Sequence, residues 1–164
     1  MNITHAPEGY VCPFCLLVKG IENKHVHSRQ RDIVYQDLHI TAFVASHWWP
    51  NNKGHVLIIP NNHIENIYGL PVDLSNRIHE LEIEVAKAFK EVYKCDGVSS
   101  RQHNEPCNQD VWHYHLHVYP RYFEDHLYGT ERAPSNELER AEFAERLRQY
   151  FITKEIKIDA RART

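Results

Sequence analysis

The chain has 164 residues, 42% hydrophobic and 25% charged, an ordinary globular composition with enough length for one sizeable core. Its 19 Lys and Arg against 22 Asp and Glu give a formal charge of -3, so no global basic field is available to hold a nucleic-acid backbone. No apolar run reaches the roughly 18 residues of a membrane span, and Met1 to Tyr10 lacks the basic and apolar blocks of a signal peptide. The expectation is a soluble cytoplasmic protein with no membrane or nucleic-acid partner. The compositional anomaly is histidine, with 13 residues.

Taken in chain order, the first feature is Cys12-Pro13-Phe14-Cys15, whose two-residue gap lets both thiolates reach one metal ion. The same spacing occurs in redox motifs and in inert packing pairs. A redox site expects an apolar strand just upstream, which Asn2 to Tyr10, with Pro7 and Gly9, does not supply. The other cysteines, Cys95 and Cys107, carry no signal, and the four together are no secreted disulfide framework.

Three β-prone runs follow, Ile33 to Tyr35, His39 to Ala45 and His55 to Ile59, the last bounded by Asn51-Asn52-Lys53-Gly54 and Pro60. From Asp73 to Tyr93, Leu74, Ile78, Leu81, Val85, Ala88, Phe89 and Val92 recur at three and four, the pattern of an amphipathic helix that starts after Pro71 and ends near Gly97. Val98 to His103 and Trp112 to Arg121 read as two more strands. A second helix, Ser135 to Phe151, is expected to take Ser135 as its cap, with Glu137 and Glu139 in its first turn. The tail from Ile152 to Thr164 reads as partly loose. Together these elements predict a single α+β domain over residues 1–164, with about five antiparallel strands, one long central helix and a C-terminal helix.

Within the last strand, His113, His115 and His117 alternate with Tyr114, Leu116 and Val118, so the histidines share one face and the apolar residues share the other with Trp112. A solvated face would more naturally carry Lys, Glu or Thr. An imidazole near neutrality serves as nucleophile, proton donor or metal ligand, and its neighbours decide which. A coincidental surface face, a catalytic zinc and phosphate chemistry all fit this spacing.

The run His113-Tyr114-His115-Leu116-His117-Val118-Tyr119, followed by Pro120-Arg121, resembles the motif of the histidine triad family. The preceding Gly54-His55-Val56-Leu57-Ile58-Ile59-Pro60-Asn61-Asn62-His63 is similar to the family's strand and terminal Pro-x-x-His, and Asn104 with Gln109-Asp110-Val111 resembles the approach to the triad. The likeness covers about Cys12 to Arg121 and offers little guidance for residues 122–164. It implies an enzyme, a nucleotide hydrolase or nucleotidyltransferase in which His115 attacks an α-phosphorus and forms a nucleotidyl-histidine. His117, His55 and Asn104 would contact the substrate, and Gln109 would either do so or pack its loop. In the zinc-containing, bacterial-type branch, the cysteine pair is completed by two histidines, which by position are His63 and His113. Such a site would be structural, about one zinc per chain. Members of this size commonly form homodimers.

Departures from the family are local. His47 stands where many members have a ribose-binding Asp, next to Trp48 and Trp49, either of which could stack on a base or simply cover the sheet. The loop Asn104 to Gln109 is short and lacks glycine, and Asp110 replaces a usual hydroxyl. The leading expectation is hydrolysis of a dinucleoside polyphosphate or nucleoside phosphoramidate. Transfer to phosphate or a sugar phosphate, a nucleotide-binding module with little turnover, and a triad-centred zinc hydrolase are the alternatives.

Overall fold

A computed structural model describes residues 3–157, so the end of the expected loose tail, Arg161-Ala162-Arg163-Thr164, lies outside the described residues. Its five-stranded sheet contains β1 (Ile33–Gln36), β2 (Ile40–Val44), β4 (Val56–Pro60), β5 (Gly97–Gln102) and β6 (Leu116–Arg121). A short ribbon pairs β3 (His47–Trp48) with β7 (Ala133–Pro134), neither of which the sequence had announced. The large sheet runs β1-β2-β4-β6-β5, and every neighbouring pair is antiparallel. Helices are α1 (Pro13–Val18), α2 (Val72–Ala88) and α3 (Glu137–Thr153).

Local chemistry sets these boundaries. Between β1 and β2 the Asp37 carboxylate accepts from the amides of His39 and Ile40 at 2.7 and 2.9 Å, which closes the reversal. Gly54 enters β4 at φ +76°, and a Cβ there would collide with Phe143 and Tyr93. After α2 the chain makes one wide turn, Phe89–Tyr93, and stops where Lys94 adopts a left-handed φ of 57°, earlier than the expected end near Gly97. The expected cap of α3 is corrected by one residue. Asn136 accepts from the amides of Leu138 and Glu139, whereas the Ser135 hydroxyl donates to the Ser46 carbonyl.

The sheet is covered on both faces, which explains why β2 and β4 are buried along their whole length. Ile40, Ala42, Val44, Val56, Ile58, Leu116 and Val118 pack against Ile78, Leu81 and Val85 of α2 and Ala144 and Leu147 of α3. Phe43, Ala45, Leu57 and Ile59 face the other way, toward Phe14 and Leu17 of α1 and Val26. The expected strand from Trp112 is shorter than the pattern suggests, because pairing begins only at Leu116. Alternation nevertheless persists back through the unpaired stretch, with Tyr114 in the helix-side core and His113 beside Phe14 on the opposite face. Trp112 is left out of that core and stacks obliquely on His5.

The C-terminal helix is tied to the rest by a buried pair. Arg140, 2% exposed, donates to the Asp32 carboxylate at 2.7 Å and to the His27 carbonyl at 3.1 Å. Removing one member of such a pair strands the other charge in the interior. Arg140→Met should therefore lower unfolding free energy by about 3 to 5 kcal/mol. Chemical denaturation reads this directly, and a midpoint equal to wild type would show that the pair contributes nothing.

Candidate active site and metal centre

On the α1 side of the sheet, α1, β3, β6, the loop after β5 and the segment before β7 enclose a cleft of about 480 Å³. His55, His115 and His117 line it with Trp49, Arg101 and Phe14. His115 sits just before the first paired residue of β6, and its Nδ1 lies 2.7 Å from the His113 carbonyl oxygen. A carbonyl only accepts, so Nδ1 carries the proton and Nε2 keeps its lone pair. The Phe14 ring meets His115 edge-on at 5.5 Å.

The remaining histidines belong to an aromatic stack. His55 lies parallel to Tyr119 at 4.8 Å and to His117 at 5.6 Å, and Trp49 closes the stack edge-on against His55 and Tyr119. Both ring nitrogens of His55 and Nδ1 of His117 are buried with no hydrogen-bond partner among the described residues. Such unanswered polar atoms are costly in a core and mark a place built to meet a polar ligand.

Burial dominates the electrostatics. Loss of water pushes His55 down to about 3, with Arg101 and Arg132 adding to the effect. It pushes His115 down to about 4 despite the opposing bond to the His113 carbonyl, and holds His117 well below the ordinary histidine range. The triad's middle and last members are therefore neutral at physiological pH.

His113 itself turns away from this cleft. Its Nδ1 lies 3.3 Å from the Cys12 sulfur and 3.6 Å from the Cys15 sulfur, and Cys15 lies 3.3 Å from His63 Nδ1. The four ligand atoms of Cys12, Cys15, His63 and His113 all fall within 4.8 Å of one another. Tetrahedral bonds of about 2.0 to 2.3 Å require ligand atoms about 3.5 Å apart, so the cluster suits a zinc ion. The other nitrogen of His113 donates to the Pro60 carbonyl at 2.9 Å, the kind of outer contact that orients a metal-bound imidazole. The Cys12 thiol also caps α1, receiving the Cys15 amide at 3.5 Å. The contact between the two thiols draws Cys12 toward its thiolate, helped by His113, while it holds the proton on Cys15.

Two of the expected substrate-contacting residues, Asn104 and Gln109, do not line the cleft. Asn104 is absent from the cleft lining, because its side chain is engaged by the Ile67 amide at 2.8 Å and by Gln102. Gln109 ties its loop to the segment after β4, donating to the Glu65 and Val111 carbonyls and accepting from the Glu105 amide. Asn108 lines the cleft instead. Asp110 does face the cleft, but it is ion-paired with Arg132. His47 lines it beside His27, with ring centroids 6.0 Å apart, while Trp48 turns into the helix-side core against Phe143 and only Trp49 reaches the cleft.

The sequence reading also missed Arg101, His103 and Arg132, all of which line the cleft. For Arg101 a signal existed: on β5 it sits opposite His117, so period-two alternation places it on the histidine face. Arg132 arrives through the unanticipated β3–β7 ribbon. The low pKa values have a consequence for stability. A histidine that stays neutral in the fold but protonates when unfolded costs stability as pH drops below about 6.5, by up to about 1.4 kcal/mol per pH unit for each such group. Unfolding free energy should thus fall from pH 7 to pH 5, with a shallower slope in His55→Asn; a pH-independent value over that range would contradict the buried, neutral triad.

The description of this architecture matches known proteins. The HIT domain family matches residues 26–124. "Protein hit" of Bacillus subtilis (strain 168) is 32% identical over 120 residues, spanning 73% of this chain and 77% of that protein. A zinc-bound histidine triad family protein from Mycobacterium smegmatis shares the fold with a TM-score of 0.68 at 24% identity, covering 87% of this chain and 96% of the other. Diadenosine triphosphate hydrolase of Plasmodium falciparum, in complex with cyclomarin A, shares it with a TM-score of 0.66 at 16% identity, covering 87% and 98%. With the family match running from Val26 to Glu124, through His55 and all three triad histidines, this chain belongs to the HIT domain family.

Proposed function

We propose that the protein hydrolyses a nucleotide conjugate at its α-phosphate, of the dinucleoside polyphosphate or nucleoside phosphoramidate kind, through a covalent nucleotidyl-histidine on His115. The observation that carries this reading is the 2.7 Å bond from His115 Nδ1 to the His113 carbonyl, which leaves a neutral, nucleophilic Nε2 on a residue lining the cleft. In the first step Nε2 attacks phosphorus, a P–N bond forms, and the bond to the leaving group breaks with its electron pair; the leaving group takes a proton from solvent and the imidazole keeps its own on Nδ1. Water then attacks the same phosphorus, the P–N bond breaks with its electron pair returning to Nε2, and the water's proton passes to solvent, releasing a nucleoside monophosphate and restoring the neutral imidazole. His55 and His117, whose buried ring nitrogens lack partners, donate to the phosphoryl oxygens as negative charge grows on them.

Asn104 and Gln109 act at one remove, by holding the loop that presents Asn108 and Asp110. Cys12, Cys15, His63 and His113 hold a structural zinc in this reading. With all four positions filled by protein, the ion braces the chain and supplies no site for water or substrate. The reading also takes the protein as a cytoplasmic homodimer; no helix among the described residues is long and apolar enough to cross a membrane.

Intact-mass analysis after brief exposure to nucleotide conjugates should show one added nucleotidyl group on the wild-type chain. His115→Asn should abolish both adduct and turnover, and turnover by this variant at the wild-type rate would refute the mechanism. Protein purified without chelators should contain about one zinc per chain. Cys12→Ser should lose the metal and unfold at lower denaturant concentration, whereas metal-free wild-type protein of equal stability would remove the structural zinc.

A further inference from the structure

We propose that Arg101 is the phosphoryl-binding cation of this cleft, its guanidinium held against Trp49 and Tyr119 so that it grips the non-bridging oxygens of a bound nucleotide's phosphate. The proposal deepens the hydrolase reading and rests on it for the identity of the ligand.

Arg101 lies directly opposite His117 in the β5–β6 ladder, so both side chains stand on the cleft face of the sheet. The guanidinium carbon is 4.9 Å from the Trp49 ring centre and 5.1 Å from that of Tyr119. The two rings meet at 80°, and contact with both holds the side chain in the corner they form, which lowers the rotamer freedom it loses on binding. Its Nε is buried and has no hydrogen-bond partner among the described residues.

Counter-ions separate Arg101 from the other arginines nearby. Arg132 is paired with Asp110, Arg121 with Asp125 and Arg140 with Asp32. Among the described residues no carboxylate lies within ion-pair distance of Arg101, and Asp110, the acid that lines the cleft, is already engaged. A half-buried guanidinium without an anion is unfavourable unless the site's ligand supplies one. His55 and His117 cannot replace it, since burial keeps both uncharged and limits them to neutral donation. The chemistry of that vacancy in charge is a tetrahedral oxyanion, for which a guanidinium offers parallel N–H donors in a matching plane.

Titration calorimetry of wild type, Arg101→Met and Arg101→Lys with AMP and adenosine, and with the guanine and uracil counterparts, separates phosphate from nucleoside recognition. Arg101→Met should lose about 10- to 100-fold in affinity for the preferred monophosphate, as expected for a charge-assisted bond, and retain its nucleoside affinity. Arg101→Lys should fall between the two, which also covers the case in which the methionine variant fails to fold. Equal monophosphate affinity in Arg101→Met, or an equal loss for nucleoside and monophosphate, overturns the proposal, as does a wild type that binds no monophosphate better than its nucleoside. A selective loss in Arg101→Met beside a wild type that forms no His115 adduct would keep Arg101's role and remove the hydrolase reading. An intact adduct with unchanged monophosphate binding in Arg101→Met would remove Arg101's role alone.

Discussion

The bond from His115 Nδ1 to the His113 carbonyl is the constraint on which the site depends. It fixes the tautomer of the imidazole, and that tautomer decides whether the nitrogen left over is a nucleophile or a donor. Yet His113 and His115 precede the paired part of β6, where the sheet ladder does not hold the backbone. Other ties take its place. The Tyr114 amide donates to the Ile64 carbonyl at 2.6 Å, the His113 ring donates to the Pro60 carbonyl, and its other nitrogen faces the thiols of Cys12 and Cys15. Each tie runs to the end of β4, the segment beyond it or the start of α1, so the metal cluster and the candidate nucleophile share one short stretch of chain.

This arrangement gives the three histidines different work. His113 belongs to the Cys12, Cys15 and His63 cluster that could hold a metal, His115 to the cleft with one nitrogen committed to the backbone, and His117 to an aromatic stack with an unanswered nitrogen. Their shared face follows from strand geometry, whereas their division follows from what each meets across that face. Phe14 is the hinge of this division, because its ring contacts both His113 and His115 edge-on and so lies between metal cluster and cleft. Burial then keeps the cleft histidines neutral, which suits attack on an anionic substrate better than a cluster of imidazolium ions without lone pairs.

Much of this was legible in the sequence because it is periodic or local. Alternation located the histidine face, three-and-four spacing located α2, and the two-residue gap of Cys12 and Cys15 pointed to a metal. What escaped depends on contacts between distant segments. The β3–β7 ribbon pairs residues too few to leave a pattern, and it brings the adjoining Arg132 to the cleft. The side chains of Asn104 and Gln109 tie their loop to distant segments, Asn104 accepting from the Ile67 amide and Gln109 donating to the Glu65 carbonyl, which no local pattern announces. Arg101 could have been found by applying to β5 the alternation that was applied to β6, since each strand sets the facing side chains of the other. The cap of α3 shifted from Ser135 to Asn136 because the serine was already committed to Ser46.

The account stands or falls on the protonation of one imidazole. Nitrogen-15 correlation spectra of the His115 ring at neutral pH report directly which nitrogen carries hydrogen. A protonated Nδ1 beside an unprotonated Nε2 is the predicted result, and a proton found on Nε2, or on both nitrogens, would contradict it.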